Sequence, residues 1–261
     1  MRVLILTSMS AGLASRCLPE LCASPQLKVV GVVLAKRATS RPWRRFKKKL
    51  KKTVRIGLLG AINGLRLRRW YAAETEPIEI VAARCHAPLF HTQGINCEQT
   101  VSVLRSLDAE LGLSLGNSYI AERVFSVPRY GMINVHGEIL PDYQGALSIL
   151  WPIYEGRGET GFTIHRIDKQ IDTGDILLQR RYPIRFYGSL EATVRQNLAA
   201  IRQDVPPAVR YVCEHYAELA ERAQKQVGGR SYTTPTFRQF LRMLRNHRNL
   251  SRDAHPTPAI H

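Results

Sequence analysis

The chain has 261 residues, of which 44% are hydrophobic and 23% charged, so it can bury a full core and has the composition of a folded globular protein. No apolar stretch approaches the length that spans a bilayer, and the five cysteines are scattered without a Cys-x-x-Cys pair, which argues against a disulfide framework or a zinc site. The formal net charge of +17 is concentrated in residues 36–69, which contain 14 Lys and Arg and no Asp or Glu, leaving 38 − 14 = 24 basic against 21 acidic residues elsewhere.

Strand-like and helix-like segments alternate along the chain, which predicts βα units in a mostly parallel sheet. The predicted strands are 2–8, 28–35, 78–83 (the weakest), 111–116, 131–136, 160–168 and 175–184. Helices are predicted up to about Cys22, over 98–110, and from Ser189, whose hydroxyl suits an N-cap. The fold class is therefore α/β with a Rossmann-like sheet. The turn after the first strand, TSMSAGLAS, has a single Gly and does not support nucleotide binding there.

The basic segment is predicted as an amphipathic insertion over residues 36–72. Its Trp43, Phe46 and Trp70 stand among Lys and Arg, and an apolar stretch follows from residue 56 to 67. Basic amphipathic helices lie on anionic membrane surfaces, so a membrane contact through residues 36–70 is our first interpretation. A solvated insertion ranks second, and nonspecific binding to nucleic-acid phosphates third.

The candidate site lies in GMINVHGEILPDYQG, residues 131–145, which begins like a buried strand and continues with polar residues, Gly and Pro. Asn134 and His136 are two residues apart, so their side chains point to the same face of a strand. An amide and an imidazole at one point can stabilise an oxyanion and move a proton. The later turn IDTGD offers Asp172 and Asp175, and a carboxylate there can orient that imidazole or take a proton through water. From spacing alone, an ordinary strand end and an Asx-turn explain these residues equally well.

Residues 133–179 carry four motifs in order: an Asn-x-His strand end, a Leu-Pro-x-Tyr-x-Gly loop, a Thr-Gly-x-Thr strand start and an Asp-x-Gly turn. In these motifs the chain resembles the folate-dependent formyltransferase family. The resemblance extends more loosely over residues 1–185, which we take as the catalytic domain with formyltransferase fold. Residues 186–261 are predicted as a helical C-terminal extension that ends in a loose tail.

The resemblance implies an enzyme that transfers a formyl group from N10-formyltetrahydrofolate to an amine, without a metal. It implies that Asn134, His136 and Asp172 are the catalytic residues. The positions that correspond to folate contacts are Ser118, Tyr119, Ile120, Ile167, Asp168 and Ile171. The loop on the acceptor side contains Glu138, Leu140, Pro141, Tyr143, Gln144 and Gly145.

Two loop residues depart from the family pattern. Glu138 stands where the family often has Ser, and Gln144 stands in place of an Arg, so the acceptor is expected to be unusual. We expect a primary amine on a small or lipid-linked acceptor, with an amino sugar nucleotide favoured because its diphosphate suits a basic neighbourhood.

Two alternatives stay open. One is an enzyme like methionyl-tRNA formyltransferase, although the residues after the core look helical and are not expected to form that enzyme's C-terminal β-barrel. The other is a non-catalytic protein that binds nucleic acid or membrane on the same fold. A cytoplasmic location is predicted, with attachment to the inner face of the membrane through the basic segment, and a homodimer stays open.

Overall fold

A computed structural model describes residues 1–36, 42–72, 75–145 and 147–254. A seven-stranded sheet forms its centre, in the order β3-β2-β1-β4-β5-β7-β8. Its strands are β1 (Arg2–Thr7), β2 (Lys28–Ala35), β3 (Leu89–Thr92), β4 (Leu111–Ser114), β5 (Met132–His136), β7 (Glu159–Arg166) and β8 (Ile176–Pro183). A separate two-stranded ladder pairs β6 (Gln144–Gly145) with β9 (Ser231–Tyr232). The five strands from β3 to β5 in this order run parallel to one another, and β7 is antiparallel to both of its neighbours, β5 and β8. This arrangement confirms the predicted mostly parallel sheet.

Helices cover both faces of this sheet, as the alternating pattern predicts. In the described part of the chain they are α1 (Leu13–Cys22), α2 (Pro42–Trp70), α3 (Ile78–Arg84), α4 (Glu98–Leu107), α5 (Glu122–Phe125), α6 (Leu150–Tyr154), α7 (Leu190–Glu214), α8 (Tyr216–Glu221) and α9 (Phe237–Ala254). Ser189 caps α7 as predicted, because its side chain accepts a hydrogen bond from the backbone N–H of Ala192.

The prediction of a strand at 78–83 is wrong, since this segment is helix α3. Ile78, Val81 and Ala82 are buried while Ile80 is exposed, a repeat of three to four residues that a half-buried helix shows. The third strand of the sheet is instead β3, a four-residue strand that pairs with the end of β2. Its sequence, LFHT, is too short to be recognised by periodicity.

The predicted basic insertion contains the longest helix, α2, and Gly57 interrupts it with a φ of 75°. Residues 37–41 of that prediction lie outside the described residues. The described chain contains no helix that is both long enough and apolar enough to cross a membrane.

The predicted C-terminal extension packs tightly on the sheet. Ile201, Val205 and Val209 of α7 lie in the same core cluster as Ile5 of β1 and Leu113 of β4. Residues on both sides of position 185 thus belong to one core. The division of the chain into domains at residue 185 stays a prediction. Residues 252–254 of the predicted loose tail belong to α9, which continues to Ala254, and the rest of that prediction, residues 255–261, lies outside the described residues.

Candidate active site

The largest described cavity near the predicted residues opens where β4 and β5 end, and its volume is about 770 Å³. In open α/β sheets, ligands bind at this carboxyl edge of the strands. Asn134, His136 and Asp172 all line the cavity, so the structure brings the three predicted catalytic residues together. His165 from β7 lines it as well.

Asn134 is held by His165, which is not among the predicted site residues. The two residues face each other across the antiparallel β5–β7 pair, and Asn134 Nδ2 lies 3.3 Å from His165 Nε2. His165 Nδ1 donates to the backbone carbonyl of Arg166 at 2.8 Å. Burial lowers the pKa of His165 below its usual range, although the Arg166 carbonyl and Asp172 oppose the shift. The neutral ring therefore accepts at Nε2 and orients the amide of Asn134.

His136 is held from both sides of its ring. Nε2 lies 2.6 Å from the backbone carbonyl of Tyr143, which only accepts, so this nitrogen carries a proton. Nδ1 faces Asp172 Oδ2 at 3.4 Å. The remaining oxygen of Asp172 lies 3.7 Å from His165 Nε2. Nδ1 of His136 is therefore the nitrogen that is available to exchange a proton.

Asp172 also anchors the predicted acceptor-side loop. Its Oδ2 accepts a hydrogen bond from the backbone N–H of Gly145 at 3.1 Å. Asp172 itself has a φ of 58°, a left-handed conformation that Asp adopts more readily than most residues. One carboxylate thus connects His136 to the loop.

The loop is fixed on its other side by the C-terminal region. Gln144 and Gly145 pair with Ser231 and Tyr232 to form the β6–β9 ladder. A Cβ at Gly145 would lie 2.2 Å from the carbonyl oxygen of Tyr232, and the residue has a φ of 104°. Only glycine fits this close approach of two backbones.

Glu138 is buried, with 3% of its surface exposed, and does not face the main cavity. Its carboxylate accepts from the backbone N–H of Ile149 at 2.5 Å and of Ile139 at 3.1 Å, and from the hydroxyl of Thr160 at 2.6 Å. Burial raises the pKa of Glu138 to about 7, against these three hydrogen bonds. The residue therefore fastens the loop to helix α6 and strand β7.

A smaller cavity of about 120 Å³ is also lined by His136. Glu138, Tyr143, Gln144 and Gly145 of the predicted loop line it, together with residues such as Trp151. Leu140 of the same loop is buried, and the peptide bond between it and Pro141 is cis. The indole N–H of Trp151 is buried and has no hydrogen-bond partner among the described residues.

The predicted folate contacts all line the larger cavity: Ser118, Tyr119, Ile120, Ile167, Asp168 and Ile171. Tyr119 and Ile171 stand 52% and 63% exposed, so two apolar surfaces are available to a ligand. The carboxylate of Asp168 also accepts from the hydroxyl of Thr173 and the N–H of Gln170, which uses part of its capacity to accept hydrogen bonds.

Two parts of the candidate site lie outside the sequence motifs. The sequence predicts His165 only as a strand residue, although a histidine within the apolar run TGFTIH is a signal of a buried polar role. Residues 231–234 also line the main cavity, far along the chain from the motifs. No local pattern indicates this second contribution, since it depends on the pairing of β9 with β6.

The comparison with protein families decides the assignment. The sequence profile described as Formyl transferase matches residues 69–207, slightly more than half of the chain. The chain belongs to the formyl transferase family. The matched segment contains Asn134, His136, His165 and Asp172, and it begins where α2 ends.

Curated relatives of this formyl transferase include the methionyl-tRNA formyltransferase of Thermosynechococcus vestitus, which is 37% identical over 110 residues. The alignment covers 41% of this chain and 33% of the relative. The methionyl-tRNA formyltransferase of Trichormus variabilis is 33% identical over 131 residues, with 49% and 39% covered. The chain thus matches well under half of the length of these relatives.

Solved structures show the same fold. The phosphoribosylglycinamide formyltransferase of Anaplasma phagocytophilum superposes with a TM-score of 0.57 at 17% identity, covering 82% of this chain and 87% of that one. A sugar 3N-formyl transferase, solved in the presence of dTDP and 5-N-formyl-THF, has a TM-score of 0.52 at 15% identity and covers 89% and 69%. At such identities the likeness concerns the fold of this formyl transferase.

Proposed function

We propose that this formyl transferase moves a formyl group from N10-formyltetrahydrofolate to a primary amine. The observation that carries the proposal is the meeting of Asn134, His136 and Asp172 on one wall of a cavity at the edge of the sheet. The match of the chain to the formyl transferase family supports the reaction type.

The residues around the cavity suit a folate. A volume of about 770 Å³ is in the range of pockets that hold a cofactor-sized molecule. Asn117 donates through Nδ2 to the Leu6 carbonyl and the Ser114 hydroxyl, which leaves its Oδ1 buried without a partner among the described residues. That oxygen offers an acceptor to a donor on the ligand, and Tyr119 and Ile171 offer apolar contacts.

When bound, N10-formyltetrahydrofolate supplies the formyl group. The acceptor nitrogen forms a bond to the formyl carbon, the bond from that carbon to N10 breaks, and the proton of the amine ends on N10. Asn134 donates to the formyl oxygen through the Nδ2 hydrogen that its contact with His165 does not use. His136 passes the proton through Nδ1, next to Asp172, while the Tyr143 carbonyl holds its other nitrogen.

We infer that the acceptor is a small or lipid-linked amine, with an amino sugar nucleotide favoured. The sugar 3N-formyl transferase shares the fold, and the net charge of +17 suits a diphosphate. An aminoacyl-tRNA is the second candidate, because the curated relatives are named methionyl-tRNA formyltransferases.

The test supplies purified protein with N10-formyltetrahydrofolate and, in separate arms, amino sugar nucleotides, methionyl-tRNA and phosphatidylethanolamine. Release of tetrahydrofolate is followed in each arm. His136→Ala should lower turnover by roughly 10²- to 10⁴-fold, because it removes the group that moves the proton. His91→Ala, on the exposed surface of β3, is the matched control and should retain activity.

Turnover with methionyl-tRNA alone would contradict the amino sugar assignment and favour the second candidate. If no acceptor is formylated and the protein does not bind a folate analogue, the proposed reaction is wrong. The alternative of a non-catalytic protein with this fold would then remain.

A further inference from the structure

Helix α2 exposes a large share of the apolar surface of the protein. Sixteen large hydrophobic side chains are exposed among the described residues, and eight of them lie on this 29-residue helix. Scattered exposed apolar side chains are ordinary, whereas a contiguous group marks contact with another molecule or a membrane.

The eight side chains follow the helical repeat on both sides of Gly57. Apart from the adjacent pair Leu58 and Leu59, they recur at intervals of three or four residues, which places most side chains of each half on one face of the helix. We define them together as the α2 stripe: Trp43, Phe46, Leu50 and Val54 before Gly57, and Leu58, Leu59, Ile62 and Leu65 after it.

The opposite face of α2 already attaches the helix to the protein. Ile56, Leu67 and Trp70 are buried, and the ring of Trp70 lies 6.1 Å from that of Phe240 on α9. From residue 56 onward, these buried side chains hold α2 in place without the stripe. Its apolar side chains stay exposed on the folded chain.

Charge indicates what covers the stripe. Residues 36–69 contain 14 Lys and Arg and no acidic residue. A second copy of the chain would bring two strongly positive segments together, which is unfavourable. Nucleic acid would satisfy the charge, but six of the eight stripe side chains are aliphatic and cannot stack on bases.

We propose that α2 docks the protein on an anionic lipid surface, with the stripe inserted between the headgroups and the basic side chains on the lipid phosphates. A helix with low net hydrophobicity, a polar basic face and an aromatic and aliphatic face lies in the membrane interface and does not cross the bilayer. The helix does not meet the requirements for a membrane span.

Docking places the lipid surface beside the cavity. Arg55 of α2 donates from Nη2 to the hydroxyl of Thr233 at 3.2 Å, and Thr233 lines the main cavity. The helix therefore borders the site where the acceptor amine is expected. The docking surface itself does not depend on the proposed reaction.

Co-sedimentation of the full-length protein with lipid vesicles tests the proposal. Vesicles of phosphatidylcholine mixed with phosphatidylglycerol should bind, pure phosphatidylcholine should bind weakly, and added salt should release the protein. Leu58→Gln combined with Ile62→Gln should weaken binding by about tenfold or more, since two apolar side chains that insert into the lipid surface are lost. Ile80→Gln combined with Val227→Gln, at two exposed apolar positions outside α2, is the matched control.

Tryptophan fluorescence gives a second measurement that does not depend on these variants folding equally well. Of the three tryptophans, Trp70 and Trp151 are buried and Trp43 is 64% exposed. Anionic vesicles should shift the emission to shorter wavelength, and Trp43→Phe should remove the shift while binding persists.

Three results would overturn the proposal. The first is equal binding to neutral and anionic vesicles. The second is unchanged binding by the stripe variant, which would show attraction by charge alone. The third is a protein that does not bind vesicles but associates with itself or binds RNA, and that loses this association in the stripe variant. Such a result would assign the surface to a second copy of the chain or to RNA. Formyl transfer is not measured in any of these arms, so failure here leaves the proposed reaction to its own test.

Discussion

At the scale of single residues, Glu138 explains why a departure from the family pattern is accommodated. Its buried carboxylate satisfies two backbone N–H groups and the hydroxyl of Thr160, which a serine is too small to do. Ile149, one of its partners, has a φ of 68°. Glu138 thus holds a strained turn and does not line the main cavity, which indicates a positioning role.

The raised pKa of Glu138 predicts a dependence of stability on pH. Between the ordinary value of 4.5 and the folded value of about 7, the folded protein keeps a proton that the unfolded chain releases. The free energy of unfolding should therefore fall as pH rises through this window, by on the order of 1 to 3 kcal/mol, and level off above it.

Chemical denaturation of the wild type and of Glu138→Gln measures the contribution of this carboxyl to stability. The measurements run from pH 4.5 to 8, because the pKa of Glu138 changes from 4.5 in the unfolded chain to about 7 in the folded protein. The variant cannot titrate here, so its stability relative to the wild type should increase with pH up to about 7. A stability difference that is independent of pH would show that this carboxyl does not titrate in the window.

At the scale of elements, the β6–β9 ladder joins the loop predicted to lie on the acceptor side to the C-terminal region. Four of the described residues pair in this ladder, which depends on close backbone approach at Gly145. The same loop is held by Asp172 through the Gly145 N–H. A change at this glycine should therefore disturb the loop and His136 together.

Gly145→Ala should lower the free energy of unfolding by roughly 1 to 3 kcal/mol and reduce formyl transfer, because the new Cβ would collide with the carbonyl of Tyr232. Thermal unfolding and turnover measure the two effects. Gly158→Ala is the matched control, since no atom lies within 4 Å of its Cβ position. Equal stability of both variants would contradict the close approach.

At the scale of the whole molecule, a second core lies outside the sheet and joins distant parts of the chain. Trp70 of α2, Trp151 of α6 and Phe240 of α9 belong to one buried cluster. This cluster closes the smaller cavity and carries α2 with its exposed stripe. The C-terminal helix is therefore part of the structure that supports the site.

Phe240→Ala should destabilise the protein by about 3 to 5 kcal/mol, because it leaves a cavity against Trp70 in this second core. Phe46→Ala removes a phenylalanine that is 59% exposed and should change the free energy of unfolding little. Denaturant unfolding of both variants makes the comparison. A similar loss of stability in both variants would contradict the contrast between the buried face of α2, which packs on Phe240 through Trp70, and its exposed face, which contains Phe46.

The sequence by itself determined the mostly parallel sheet and most of its strands, and it predicted three residues that the structure brings together at one cavity. Apolar runs such as RVLILT form buried parallel strands because only near-continuous hydrophobicity suits a sheet covered on both faces. Asn134 and His136 could be paired from spacing because alternation along a strand is a local rule. Asp172 followed from the order of family motifs.

Tertiary structure decided what depends on contacts between distant residues. His165 orients Asn134 only because β5 and β7 pair in antiparallel register. Residues 231–234 reach the cavity because β9 pairs with β6. The segment 78–83 became a helix because burial of Ile78, Val81 and Ala82 against the core outweighs the strand preference of its isoleucines and valine. Local patterns carry no information about such long-range pairing, and folding alone brings these groups together.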